Sequence, residues 1–312
     1  MVAAQGSAAR EVARVQTFGD YAERWIDERP LKESSRREYR RMYESFMKDA
    51  LGPLPLHALD AATVRTWFAS MDTTPSRKHK TYGRLHSIVN TAVSDGLLVP
   101  NPCDIVVKKP PRKVKPAELT PAEVASLANN IAPQRFSALV LIGAWCGLRI
   151  GELIGLQRSD VSDDASTITV ARQIDHEGGC HVTTVKQGEQ HTVVLPPHIR
   201  ADVKHHLDVY TGAEPTALLF EGTASCHLSE STLRNAWHKT LKTIGREKIR
   251  VHDLKHFAGT MAARTGATLA ESMDRLGHST ASASLIYQNV TSGRPEEIAA
   301  ALSTLAAVEV PD

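Results

Sequence analysis

The sequence predicts a mainly α protein in two domains, an N-terminal bundle of four helices followed by a mixed α+β domain with a small three-stranded antiparallel sheet. Three observations lead there. The chain has 312 residues, and at about 100–200 residues per domain that length suggests two domains. Apolar residues recur at i, i+3, i+4 and i+7 over most of the chain, the pattern of an amphipathic helix. Only between about 166 and 195 does it give way to clustered β-branched residues separated by turn dipeptides.

In the front half, Phe18, Tyr21, Ala22, Trp25 and Ile26 form a first helical stripe, stopped by Pro30. Ser34 or Ser35 can cap a second helix carrying Tyr39, Met42, Tyr43, Phe46 and Met47, ended by Gly52 and Pro53. Asp60 can cap a third, with Val64, Trp67, Phe68 and Met71; a fourth runs through Tyr82, Leu85, Ile88, Val89, Ala92 and Val93 to Gly96. Next, Lys108, Lys109, Arg112, Lys113 and Lys115 stand among Pro110, Pro111 and Pro116. Prolines and like charges together disfavour both helix and core, so this stretch is a positive linker.

The back half opens on Thr120-Pro121-Ala122-Glu123, a capping box with proline at the first helical position. An apolar helix from Phe136 to Cys146 breaks at Gly147. Strands are expected at 166–174, 180–186 and 191–195, with Gly178-Gly179 and Gln187-Gly188 as turns. Helical periodicity returns at about 197–211, 229–245, 252–265, 268–276 and 280–289. The expected divisions are a disordered N-terminus (1–16), a helical domain (17–104), a basic linker (105–117), an α+β domain (118–290) and a tail helix (291–312).

Composition narrows the function classes. A chain that is 42% hydrophobic and 23% charged belongs with ordinary globular proteins. It has no run of about 18 apolar residues, which argues against a membrane span. The opening MVAAQGSAAR lacks a signal-peptide core, so the expected location is the cytoplasm. Cys103, Cys146, Cys180 and Cys226 are dispersed, without metal-like spacing, and read as reduced, packed thiols. Neither GxGxxG nor GxxxxGK[ST] occurs, so no cofactor and no metal is expected. The net charge of +2 conceals an asymmetry: residues 1–115 hold 20 Lys and Arg against 13 Asp and Glu, and residues 116–312 hold 17 against 22. The total alone argues against a strongly basic nucleic-acid binder, but the front half is basic and the back half mildly acidic.

Four stretches carry candidate chemistry: CGLRIGEL (146–153), VHDLKH (251–256), RLGHS (275–279) and SLIYQN (284–289). In this order and spacing they resemble the tyrosine recombinases, or phage integrases, over about residues 17–290. Arg149 matches the first family arginine, in a GLR-x-GE turn with Glu152. His252, Lys255 and His256 stand at the His-x-x-Arg-His box, His278 in Leu-Gly-His-Ser, and Tyr287, nine residues further on, at the nucleophile. Lys186, between two strands of the sheet, matches the family lysine.

The resemblance implies site-specific cutting and rejoining of DNA through a 3′-phosphotyrosine and a Holliday junction. Tyr287 would attack the scissile phosphorus, retaining the bond energy as a phenolate ester. Arg149 can grip two phosphate oxygens, His278 can donate another hydrogen bond, and Lys186 would protonate the departing 5′-oxygen. His252 would assist proton traffic at the tyrosine; His256 and Glu152 would support the pocket. Lys255 departs from the family arginine. An ammonium supplies charge without a bidentate fork, so a slower enzyme is expected, and Lys255→Arg should accelerate it.

By the same resemblance the helical domain is a core-type DNA-binding domain and 118–290 is catalytic. Double-stranded DNA would be held by phosphate contacts from Arg77, Lys78, Lys80 and Arg84, from the linker's Lys108, Lys109, Arg112, Lys113 and Lys115, and from Arg234, Lys239 and Lys242. The tail would dock on a neighbour, giving a homotetramer on two DNA sites, with room for an accessory directionality protein. The short stretch before Phe18 implies a compact type without an arm-binding domain. The alternatives are a Xer-type dimer resolvase, a catalytically impaired DNA-binding relative and a relaxing topoisomerase.

Overall fold

The computed structural model describes residues 16–107, 119–175, 181–184, 190–222 and 226–277, together with 280, 281 and 285. The chain divides into two compact units, residues 1–114 and 115–312.

The first unit is helical. Its elements are α1 (Phe18–Glu28), α2 (Glu33–Phe46), the single turn α3 (Lys48–Leu51), α4 (Ala61–Ser70) and α5 (Pro75–Ser94). Thr17 and Asp60 cap α1 and α4 by accepting from the amides of Asp20 and Thr63, which satisfies donors that lack a partner within the helix. Helix α2 starts ahead of the expected serine caps, with Lys32 at the N-cap and no side-chain cap. Arg36 stabilises that corner instead, its guanidinium donating to the carbonyls of Ile26, Asp27 and Arg29 at the end of α1. Helix α5 begins two turns before its apolar stripe, because Thr74 caps it and Pro75 occupies its first position. Phe18, Met47, Trp67, Leu85 and Ile88 are buried together, and Trp67 Nε1 donates to the Phe46 carbonyl.

The second unit is built around α7 (Ser137–Cys146), buried on nearly every side, as its uniformly apolar sequence requires. It packs against α6 (Pro121–Asn130), α9 (Pro197–Tyr210) and α11 (Asp253–Arg264). The short α8 (Ile150–Ile154) lies between, and α10 (Glu230–Thr243) and α12 (Leu269–Leu276) complete the described helices. The expected capping box on α6 forms in full.

The expectation of one three-stranded sheet is corrected. Among the described residues there are four short strands in two antiparallel pairs. β1 (Thr167–Val170) pairs with β4 (His191–Val194), in the register Thr167 to Val194 and Val170 to His191. β2 (Arg172–Asp175) pairs with β3 (His181–Thr184), in the register Arg172 to Thr184. The first expected strand is split at Ala171. Before that point Ile168 and Val170 enter the core; after it the Arg172 side chain turns back to the Asp160 carboxylate at 2.5 Å and the Gly155 carbonyl at 3.3 Å, and the pairing passes from β4 to β3. The expected turns fall outside the described residues.

Cys103 and Cys146 are free thiols, but Cys226 is disulfide-bonded, which corrects the expectation of four reduced cysteines. Among the described residues no helix is long and apolar enough to cross a membrane.

Candidate active site

Two helix ends meet here. Helix α7 terminates at Gly147, with φ +72°, and α12 terminates at Gly277, with φ +56°; both are left-handed positions that glycine enters without steric cost. Gly147 also has to be small, since a β-carbon there would stand 2.4 Å from Leu276 Cδ2. The chain then runs through Leu148 into Arg149, which is extended and forms the N-cap of α8.

Glu152 organises that turn. One carboxylate oxygen accepts from the Arg149 amide at 2.6 Å, the other from Arg149 Nη1 at 2.7 Å. The glutamate side chain is 1% exposed against 24% for the arginine, so a buried anion holds a cation whose edge still reaches solvent. Arg149 Nη2 donates to the Gly277 carbonyl at 2.9 Å, linking residues 128 positions apart in sequence. Of the five N–H bonds of a guanidinium, those on Nε and the second on each terminal nitrogen have no partner among the described residues and can meet a ligand.

Helix α11 brings the second box. His252 stands at its start, exposed, with the His256 ring edge-on at 5.0 Å. The protein packed around the His252 ring lowers its pKa, and the neighbouring Lys255 and Arg250 push it the same way. Lys255 points inward: Nζ donates to the carbonyls of Gly147 and Leu276, both at 2.6 Å, and the residue is 4% exposed. Burial, followed by repulsion from Arg149, takes its pKa down to about 7, with Glu152 opposing. Phe257 is buried, with its ring edge-on to Trp145 at 5.0 Å.

One residue at this place was not among the expected set. His191 opens β4 with its ring against Gly277, where a β-carbon would lie 3.0 Å from the imidazole. Partial burial lowers its pKa, Lys255 and Arg149 add to that, and Glu152 opposes. Its position five residues after Lys186, at the start of the last expected strand, was the available signal. Arg275 fastens α12 to the same corner through the carbonyls of Trp145, at 2.9 Å, and Val194, at 3.3 Å.

The structure thus brings Arg149, Glu152, His252, Lys255 and His256 to one corner of the second unit. Lys186, His278 and Tyr287 lie outside the described residues, as do the linker cations Lys108, Lys109, Arg112, Lys113 and Lys115 and the expected tail segment 291–312. Of the expected DNA contacts, Arg77 and Lys80 are exposed on α5, with Lys80 3.7 Å from Glu38. Lys78 is drawn back over the Phe68 ring, 4.7 Å from its centroid, and Arg84 lies 4.1 Å above Tyr39. Arg234, Lys239 and Lys242 are exposed on α10, Arg234 standing 3.5 Å from Glu230.

Residues 118–294 match the phage integrase family. The chain is 37% identical over 297 residues to the prophage phiRv2 integrase of Mycobacterium tuberculosis strain H37Rv, covering 93% of this chain and 78% of that one. Against the integrase of Mycobacterium phage L5 the identity is 35% over 316 residues, covering 97% and 83%. Among solved structures, the Tn1549 transposon integrase in complex with transposon right end DNA superposes with a TM-score of 0.77 at 19% identity, over 93% of this chain and 100% of that one. A lambda integrase tetramer bound to a Holliday junction gives 0.68 at 15% identity, over 88% and 81%. At these identities the structural likeness is one of fold.

Proposed function

Because the chain belongs to the phage integrase family, the tyrosine recombinases, and is a site-specific DNA recombinase, we propose that it exchanges DNA strands through a 3′-phosphotyrosine on Tyr287 and a Holliday junction. The Oη of Tyr287 attacks the scissile phosphorus, the bond to O5′ breaks, and Lys186 protonates the departing oxygen. A 5′-hydroxyl from the other duplex then attacks the phosphotyrosine and releases the tyrosine. One ester replaces another at each step, so no nucleotide energy is consumed.

The observation that carries this reading is the held guanidinium of Arg149. Glu152 and the Gly277 carbonyl fix two of its N–H bonds, and the remaining ones can meet the charge that develops on the non-bridging phosphate oxygens. Gly277 immediately precedes His278 in sequence, so a second donor follows the carbonyl that anchors the first. The lowered pKa of His252 keeps its imidazole neutral near pH 7, able to accept the tyrosine proton.

Duplex DNA is the substrate in this reading. The cations of α5, the linker and α10 supply phosphate contacts that give affinity with little sequence information. Residues 17–104 serve as the core-type DNA-binding domain and 118–290 as the catalytic domain. Four copies act on two sites, joined through the tail after Tyr287, and an accessory protein sets direction. Integrase is preferred to chromosome resolvase because the integrase relatives are 37% and 35% identical along nearly the whole chain, against 23% for a XerC-like recombinase over 93% of it.

The test is recombination on a supercoiled plasmid bearing two copies of the attachment sequence recovered from DNA flanking the gene. Exchange by the wild type and none by Tyr287→Phe is expected. Relaxation without exchange would mark a topoisomerase, and binding without either would mark a DNA-binding regulator.

A further inference from the structure

We propose that Lys255 is a positioning residue that ties together the two helix ends presenting Arg149 and Gly277, rather than a group that grips the scissile phosphate. The proposal rests on the reading of Arg149 as the phosphate-binding residue. It replaces the expectation that the ammonium stands in for a second phosphate-binding arginine.

The geometry forms a closed ring. Lys255 Nζ donates to Gly147 O and to Leu276 O, both at 2.6 Å. Gly147 leads in two residues to Arg149, and Arg149 Nη2 returns to Gly277 O at 2.9 Å, one residue past Leu276. Both carbonyls on Nζ belong to helix C-termini, where the last carbonyls lack partners within the helix and carry the negative end of its dipole. A lysine nitrogen placed between two such ends answers both.

The slot does not suit an arginine. Lys255 is 4% exposed, and the two segments it joins touch so closely that a β-carbon on Gly147 would fall 2.4 Å from Leu276. One nitrogen satisfies two converging acceptors there, whereas a planar guanidinium spreads its donors in a fixed fork. Burial also lowers the lysine pKa to about 7. A neutral amine still carries two N–H bonds for two carbonyls, so the clamp survives loss of the proton, which a phosphate-neutralising cation would not.

The experiment is single-turnover formation of the covalent adduct on a nicked duplex, with DNA affinity and thermal unfolding measured beside it. Lys255→Met and Lys255→Arg are each made alone and with Arg149→Ala. Expected for Lys255→Met is a loss of about 10²-fold in adduct formation, the scale of a small misplacement of a catalytic group, with DNA affinity unchanged. Lys255→Arg should also slow the reaction. Combined with Arg149→Ala, each should cost only a few-fold more, because there is then no guanidinium to place. Lys255→Arg faster than wild type, or the same fold-loss from Lys255→Met in both backgrounds, would overturn the clamp. If Lys255→Met fails to fold, the direction of the Lys255→Arg change decides. Arg149→Ala cleaving at the wild-type rate would instead remove the reading of Arg149 itself.

Discussion

At Gly147 two constraints coincide. The backbone is left-handed and a β-carbon would collide with Leu276, so Gly147→Ala is expected to destabilise by about 1–3 kcal/mol, checked by urea unfolding, and to slow adduct formation by shifting Arg149. Glu152 is nearly fully buried against Arg149. Removing one partner of such a pair leaves an unmatched charge, and Glu152→Ala is expected to cost about 3 kcal/mol, discounted because the arginine edge is wet. A Glu152→Ala variant as stable as wild type would show the pair to be dispensable. Titration makes further predictions. Lys255 has a folded-state pKa of about 7 against 10.5 in the unfolded chain. Between those values the unfolded state holds the extra proton, so this group makes stability rise with pH, by at most about 1.4 kcal/mol per unit. The stability of wild type relative to Lys255→Met should therefore grow from pH 7 to pH 9; a constant gap would contradict the buried assignment. Buried His206, whose Nε2 lies 2.7 Å from the Leu219 carbonyl, has its pKa lowered by burial. It adds a loss of stability as pH falls below about 6.5, which His206→Gln should diminish.

Among the elements, local chemistry was readable and distant chemistry was not. The caps at Asp60 and Thr120 follow from residues three positions apart, and the structure forms both. The start of α2 does not, because the group that stabilises it is Arg36 reaching the end of another helix. The strand reading failed at Ala171 for a related reason. The β-branched run ends at Val170, but Ala171 and Gln173 are compatible with an extended strand as far as Ile174, and only Arg172 turning to Asp160, twelve residues back, reveals the break. At the site, Arg149 and Glu152 were legible as one turn of chain. The inward aim of Lys255 was not, since its two acceptors lie 108 and 21 residues away, and a basic residue on a helix reads by default as solvated. Nothing in the segment around His191 indicates that the Gly277 turn comes to rest against it.

For the whole molecule, charge is the property that the sequence total concealed. A net +2 divides into +7 over residues 1–115 and −5 over 116–312, and exposed Lys239 and Lys242 place cations on the acidic half as well. If both touch phosphate, Lys239→Gln with Lys242→Gln should flatten the plot of log binding constant against log salt by about 0.9 for each phosphate that is no longer neutralised; an unchanged slope would remove α10 from the interface. Deleting residues 293–312 is expected to weaken synapsis of two sites more than binding to one. Equal loss of both in gel-shift titrations would contradict a tail that links subunits. The most direct measurement concerns Tyr287. On a nicked duplex that lets the cleaved strand diffuse away, the wild type should accumulate a covalent protein–DNA adduct whose linkage maps to Tyr287, and Tyr287→Phe should form none. No adduct with the wild type, or one that survives Tyr287→Phe, would contradict the phosphotyrosine reading.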